Sequence, residues 1–351
     1  MINPKNLLIV RTDRIGDVVL SLPLAQIVKK YYPECKITFL VRNYTKDILE
    51  NHPFIDNTII LHELNGKIPI LKNVEAIKKF NFDSSIIVYP TFQTSLITFL
   101  CSIKNRIGTG YRWYSFLFNN KIYEHRKYAE RHELEYNVNL LRAFGINEKV
   151  DPETVNFNIS INKKSNEKIE TLFNNYSINF DKPVIIVHPG SGGSAVDLPL
   201  NKFVQLVELL SKRNGYQILI TGSKEEIDIC NKLDINDNIK NFAGMLNLSE
   251  LIALINKTDI FVANSTGPLH IAAALGKYTI GFYPNLLACS SKRWGPYSSK
   301  KVIFSPKIEC SDCEREQCLK SECMNSIQVT DITAEIDKIY NLIFDNGEHN
   351  V

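Results

Sequence analysis

Short apolar runs alternate with amphipathic stretches along the chain, and this alternation sets the expected fold class. Residues 7–10 (Leu-Leu-Ile-Val) are continuously apolar, as a parallel strand buried on both faces is; residues 36–41 and 58–61 repeat the signal. Residues 18–30 read as a helix with an apolar face, and 44–50 as a shorter one. Pro23 interrupts the first, and a proline inside a helix costs about 3 kcal/mol. Either the helix kinks there, or it restarts with Ser21 as cap and Pro23 in its first turn. Helices over 68–80 and 93–102 flank a strand at 84–88. Strand and helix in turn predict βαβ units, parallel pairing and right-handed crossovers.

The rhythm breaks between residues 106 and 135, which read as a loop rich in aromatic and basic side chains. A helix over 134–144, ended by Gly145, closes the first half. Residues 158–182, rich in Asn, Lys and Ser, hold the connection and one polar helix. A second series follows: strand 183–187, helix 201–213, strand 217–221, a helix through 233 and a strand ending at 241–244. Helix 248–256 with Ser249 as cap, strand 259–263, helix 269–275 and a last helix over 330–344 complete the pattern. The expected divisions are residues 1–160, 161–329 and 330–351.

Candidate chemistry collects where the apolar runs end. Asp17 closes the turn Arg11-Thr12-Asp13-Arg14-Ile15-Gly16-Asp17 just past the first strand, at the edge where open α/β sheets bind ligands. A carboxylate there suits either a general base or a helix cap, and from this segment alone the cap is the simpler reading. The turn His188-Pro189-Gly190-Ser191-Gly192-Gly193-Ser194 follows a strand directly, so backbone N–H groups can approach a phosphate. Glu225 and Glu226 open a helix, where they serve ribose hydroxyls or the helix dipole. Asn264-Ser265-Thr266-Gly267-Pro268-Leu269-His270 is the sharpest of these turns: small residues lead to a proline in the first helical turn, and the helix's open N–H groups point at one spot. Arg112, Arg126 and Arg131 fall in the loop of the first half, where grouped cations and aromatics suit a phosphorylated glycolipid.

Totals narrow the picture without changing it. A chain of 351 residues suits two domains, and 44% apolar with 23% charged residues is a soluble composition. A net charge of +3 makes no demand for nucleic acid. The first apolar run is broken at Arg11, unlike a secretory signal, and no run approaches the roughly 18 apolar residues of a membrane span. A cytoplasmic protein is expected. Of its eight cysteines, Cys35, Cys101, Cys230 and Cys289 read as packed thiols. Cys310, Cys313, Cys318 and Cys323 crowd together and are candidates for a structural zinc, although only the first pair has ribbon-like spacing.

Taken together, Arg14-Ile15-Gly16-Asp17, His132-Glu133-Leu134-Glu135 before Asn139-Leu140-Leu141-Arg142, His188-Pro189-Gly190-Ser191, the 264–270 segment and the late cysteines with Met324 resemble the heptosyltransferase-like glycosyltransferases of family 9. The resemblance covers nearly the whole chain. It implies a GT-B fold, two Rossmann-like domains with parallel sheets facing an interdomain cleft, and a final helix returning to the N-terminal domain. It implies a metal-independent inverting transfer of heptose or a related sugar from an ADP-sugar to a lipopolysaccharide-core or similar glycolipid. Asp17 would then be the base rather than a cap. Ser191, Ser265, Thr266, Gly267, Leu269 and His270 would cradle the pyrophosphate and sugar, with Glu225, Met245 and Leu246 at ribose and adenine. Arg14, Arg112, Arg126 and Arg131 would meet the acceptor. The protein would be a monomer, without nucleic-acid partners, touching the inner face of the membrane peripherally.

Two positions depart from the family pattern. Val196 stands where many members carry lysine or arginine, and Ser265 where many carry aspartate. The donor sugar differs, or Arg11, Arg14 or Lys202 substitutes for the missing cation, or turnover is slow. The competing expectations are a nucleotide-binding member without transfer and, last, a dinucleotide oxidoreductase; the latter lacks a G-x-G-x-x-G turn after the first strand.

Overall fold

The computed structural model describes residues 2–178, 182–213, 215–236, 238–308, 316, 318 and 322–345. The chain divides into two compact units, residues 1–160 and 161–351. Among the described residues each unit is built on one six-stranded parallel sheet, which is the α/β, GT-B class expected.

The first unit runs β1 (Asn6–Val10), α1 (Ile15–Val19), α2 (Pro23–Tyr31), β2 (Lys36–Val41), β3 (Asn57–Ile60), α3 (Ile70–Lys78), β4 (Ser84–Ile87), α4 (Phe92–Leu100), β5 (Asn105–Thr109), β6 (Asn120–Ile122) and α5 (Glu133–Asn139). Its sheet order is β3-β2-β1-β4-β5-β6, every pair parallel. All carboxyl ends therefore share one edge, and the winding reverses between β1 and β4. The second unit runs α6 (Lys163–Asn175), β7 (Val184–His188), α7 (Leu200–Ser211), β8 (Gln217–Ile220), α8 (Ile227–Asn231), β9 (Ile239–Asn241), α9 (Leu248–Asn256), β10 (Ile260–Asn264), α10 (Gly267–Ala274), β11 (Tyr278–Phe282), α11 (Ser291–Trp294), β12 (Lys301–Phe304) and α12 (Val329–Asp345). Its order, β9-β8-β7-β10-β11-β12, is the same winding with the reversal between β7 and β10.

Both central strands are apolar because both their faces are covered. Leu8 and Val10 pack with Leu40, Ile87 and Ile97 on one side, while Leu7 and Ile9 are fully buried on the other. Ile185 and Val187 do the same in the second unit with Phe203, Leu206 and Val262. Each such side chain contributes about 1.5–3 kcal/mol by burial, and truncating Ile9 or Ile185 to alanine should cost about 2–5 kcal/mol.

Several local expectations change. The helix restarts at Pro23, which occupies its first turn, but the side chain of Ser21 donates to the Asp17 carbonyl (2.8 Å) instead of capping. The stretch from 106 to 135 contains two strands: Asn105–Thr109 and Asn120–Ile122 are polar and short, and Gly108 leaves no room beside Phe118 for a side chain. Asn247, not Ser249, caps α9; its Oδ1 accepts from the Glu250 N–H at 2.9 Å while Glu250 bonds back to the Asn247 N–H. The pattern also named no strand where β11 and β12 lie.

The last helix packs on the second unit. Ile332, Ile336, Ile339 and Ile343, spaced along one face, join the core of the second unit with Leu206 and Leu210 of α7. Asp337 adds an ion pair to Arg213 and accepts from the Tyr216 hydroxyl at 2.8 Å. No described helix is long and apolar enough to cross a membrane.

Candidate active site

In the first unit the site starts from one buried cation. The chain leaves β1 still in register, with the Arg11 N–H on the Leu40 carbonyl, so the Arg11 side chain points into the protein and is 1% exposed. Arginine is almost never buried unless paired. Here Nε meets Asp13 at 2.8 Å, Nη2 binds Asp17 Oδ1, and Nη1 reaches Glu133 at 3.6 Å and the Asn137 side-chain oxygen at 3.4 Å. Arg126 closes the far side by pairing with Glu133. Asn137 also donates to the Leu20 carbonyl at 3.0 Å, locking α5 to the end of α1.

Three carboxylates around a guanidinium set the local electrostatics. Burial works against the Arg11 charge, but Asp13, Asp17 and Glu133 outweigh it and push the group up. Burial raises the Asp13 carboxyl to about 7, against the pull of Arg11, and the neighbouring Asp17 charge adds to the rise. Asp17 itself is not a cap. It lies inside α1, whose cap is Arg14, and its side chain is given to Arg11 while remaining 13% exposed. That holds one carboxylate oxygen in place at a sheet edge that ligands can reach. Of the other cations expected near an acceptor, Arg126 belongs to this cluster through Glu133. Arg14 lies exposed at the start of α1, and Arg112 and Arg131 are exposed in the chain following β5 and β6.

In the second unit the strand ends carry amide and hydroxyl groups. Asn264, at the end of β10 and 1% exposed, accepts from the Leu198 N–H at 2.8 Å and donates to the Pro189 carbonyl at 2.7 Å. One side chain thus clasps the glycine-rich turn after β7 to the start of α10. Within that turn Ser191 Oγ donates to Asp197 at 2.8 Å and accepts from the Gly193 N–H at 3.2 Å. Gly192 and Gly193 have φ of 56° and 72°, a conformation glycine adopts without strain. Gly190 serves close approach instead, since a Cβ there would lie 1.9 Å from a Glu226 carboxylate oxygen. Glu226 is held by the Ser223 N–H at 2.8 Å and faces the buried His188, whose ring nitrogen Nδ1 shares a 2.9 Å bond with the Thr221 hydroxyl. Burial lowers the His188 pKa, and Glu226 partly restores it.

The expected donor residues fall on this edge in two groups. Ser191 and the run from Ser265 to His270 are joined through Asn264. Thr266 is the N-cap of α10 and makes no side-chain cap bond. Leu269 is fully buried in α10. Glu225, exposed, and Met245, 45% exposed, with half-buried Leu246, sit at the ends of β8 and β9, joined by a 2.9 Å bond from the Gly244 N–H to the Gly222 carbonyl. Both departures lie inside the second unit. Val196 is 5% exposed and packs with Leu198 in the core, and Ser265 is buried between β10 and α10.

Known proteins resemble this chain in sequence and in fold. A profile of glycosyltransferase family 9 (heptosyltransferase) fits residues 70–324. The chain belongs to this family. A Haemophilus influenzae protein whose name goes no further than glycosyltransferase is 30% identical over 86% of this chain and 89% of its own length. The lipopolysaccharide core heptosyltransferase OpsX of the same organism is 26% identical over 80% of this chain and 79% of its own. The solved Escherichia coli ADP-heptose lipopolysaccharide heptosyltransferase II superposes with a TM-score of 0.76 over 95% of this chain and 98% of that one, at 18% identity. A family 9 glycosyltransferase from Veillonella parvula reaches 0.81 over 96% and 97%, at 16% identity.

Asp13, Glu133, Asn137 and Asn264 are the site residues that sequence reasoning did not single out as acting, and it gave Arg11 no role as the centre of an ion cluster. The charged turn after β1 was one available signal, because cations and acids alternating directly behind a buried strand need one another. The proposed zinc cluster is not assembled by the described residues: Cys310 and Cys313 lie outside them, and Cys318 and Cys323 are buried in the second unit. Among the described residues no three His, Cys, Asp or Glu side chains gather as a metal site.

Proposed function

We propose that this family 9 glycosyltransferase moves heptose, or a related sugar, from an ADP-sugar onto a lipopolysaccharide-core or similar glycolipid, with inversion at the anomeric carbon. The observation that carries the reading is Asp17, a carboxylate fixed by a buried arginine at the carboxyl edge of β1. In the reaction an acceptor hydroxyl oxygen bonds to the anomeric carbon as the bond from that carbon to the diphosphate breaks. The hydroxyl proton passes to the Asp17 carboxylate, and ADP departs with the bond's electron pair. The backbone N–H groups at the start of α10 and in the turn around Ser191 stabilise the charge growing on the diphosphate, so this scheme calls for no metal. Glu225 and the 245–246 backbone hold the nucleoside. The printed names of the relatives, which include a lipopolysaccharide core heptosyltransferase, support the donor and acceptor classes.

Incubating the protein with a panel of ADP-sugars and truncated core glycolipids tests this, with the new linkage read by mass spectrometry and NMR. ADP-heptose consumption with a product of inverted configuration is expected; transfer only from uridine or guanosine donors would end the ADP assignment. One second reading has an observation behind it. Val196 is a core residue and Ser265 is buried, so a common cation and a common carboxylate are both missing, as in a nucleotide-binding member with little transfer. Calorimetric ADP binding with no donor consumed would select that reading.

A further inference from the structure

The glycine-rich turn after β7 poses a problem of charge. Between residues 188 and 201, and again between 264 and 276, the sequence holds no lysine or arginine and only one carboxylate, Asp197. That carboxylate is bonded to the turn's own serine: Ser191 Oγ donates to Asp197 at 2.8 Å. A serine hydroxyl has one proton to give, and the buried Ser191 gives it here. Neighbouring donors are turned inward with it. The Gly193 N–H is spent on Ser191 Oγ at 3.2 Å, and the Ser194 N–H and hydroxyl both meet the Ser191 carbonyl, at 3.2 and 2.8 Å. Glu226, the other acid nearby, differs in that it accepts from the Ser223 N–H, outside the turn.

A carboxylate on the hydroxyl of an anion-binding turn stands where an incoming anion must bond. Bracing the fold does not require charge there, since at the same edge Asn264 ties backbone groups with a neutral amide. Hydrogen bonds to an ionised acceptor are roughly twice as strong as neutral ones, so Asp197 holds Ser191 firmly against water. A diphosphate, with more charge and more oxygens, can still displace it. Val196 and Leu198 are both buried, which fixes the backbone on either side of the half-buried Asp197. Its side chain is the part left to swing.

We propose that Asp197 is an internal competitor for the donor's diphosphate: its carboxylate holds the Ser191 hydroxyl until a phosphate displaces it, and takes it back as ADP leaves. Asp197 thereby acts on donor affinity and product release rather than on bond making, a role that rests on reading this edge as the diphosphate cradle. A competitor of this kind reduces the apparent affinity by the fraction of turns that are open. A weakening of about tenfold corresponds to about one open turn in ten.

Calorimetry of ADP binding by the full-length protein tests this, with wild type beside D197N, D197A, S191A and S191A/D197A. D197A removes both the charge and the grip on Ser191, and is expected to bind ADP about tenfold more tightly. D197N keeps an acceptor for the hydroxyl and loses only the charge, so a smaller gain is expected. In the S191A background D197A should gain less than in the wild type, since no hydroxyl remains to be released. A residue that merely braced the turn would show the opposite sign, because a loosened turn binds more weakly. D197N guards against a turn that collapses without any acceptor: ADP binding by D197N no tighter than by wild type would overturn the proposal. Equal gains from D197A with and without Ser191 would overturn the competition for that hydroxyl. ADP bound by none of these proteins would overturn the proposal together with the donor reading, whereas unchanged affinity across the Asp197 variants would count against the proposal alone.

Discussion

At the reversal point of the first sheet, between β1 and β4, Arg11, Asp13, Asp17 and Glu133 form a nearly dry ionic cluster. At the matching point of the second, between β7 and β10, one neutral amide, Asn264, ties two turns together through backbone atoms. The same winding has thus been furnished in two ways. A buried ionic cluster is expensive to desolvate and is weak evidence for stability, but it fixes charge and direction, which a proton acceptor needs. A neutral clasp leaves the neighbouring N–H groups and the helix dipole unopposed, which an anion needs. If this contrast is right, lesions in the first cluster should fall on proton transfer, and lesions in the second on nucleotide affinity.

The largest expected effect is that of Asp17→Asn. It should lower kcat by about 10²–10⁴-fold while leaving calorimetric ADP affinity unchanged; an unaltered rate would take Asp17 out of the mechanism. Next comes Arg11→Met, which strands three carboxylates in a dry site. A loss of about 3–5 kcal/mol in denaturant unfolding is expected, and Arg11→Lys should rescue it only in part because a lysine cannot serve three partners in a plane. Asn264→Ala should cost about 1–3 kcal/mol through the unpaired Leu198 N–H and Pro189 carbonyl, and should weaken ADP binding with little change in the rate at saturation. Gly190→Ala is milder. The added methyl meets the far end of the Glu226 side chain, which can swing away at the loss of its helix cap, about 1 kcal/mol by thermal melting.

The smallest effect has the most diagnostic sign. Asp13 binds its proton more tightly folded than unfolded, so its stabilisation is complete below about pH 4 and is lost as pH rises through about 7. His188 is shifted the other way, so its contribution is present above about pH 6.5 and is lost as pH falls below that. Hydrogen exchange across this range should therefore show β1 amides better protected at the acid end and β7 amides at the neutral end. Asp13→Asn should flatten the first trend and leave the second.

Much of this layout is legible in the sequence, for identifiable reasons. Strands buried on both faces announce themselves as unbroken apolar runs, and β1, β2, β7 and β10 do so. Polar edge strands do not: Asn120-Lys121-Ile122 has neither alternation nor length, and only pairing with β5 reveals it. Capping at α9 was misread by two residues because Asn and Ser are both good caps, and the reciprocal partner Glu250 decides between them. The donor turns were visible as glycine and small residues at strand ends. The burial of Arg11 in an ion cluster was not, because two of its partners, Glu133 and Asn137, lie more than a hundred residues away, and chain distance hides what burial requires. Val196 marks the limit of resemblance, since the position survives while its side chain has joined the core.

The last helix carries a consequence for damage to the gene rather than to the chemistry. A message that stops short of Ile332 would still encode every loop of both sheets' working edges, yet it would leave a bare apolar slot along α7. Such a product would be cleared by proteases before any catalytic defect could be felt, so late nonsense changes should look like absence of the protein.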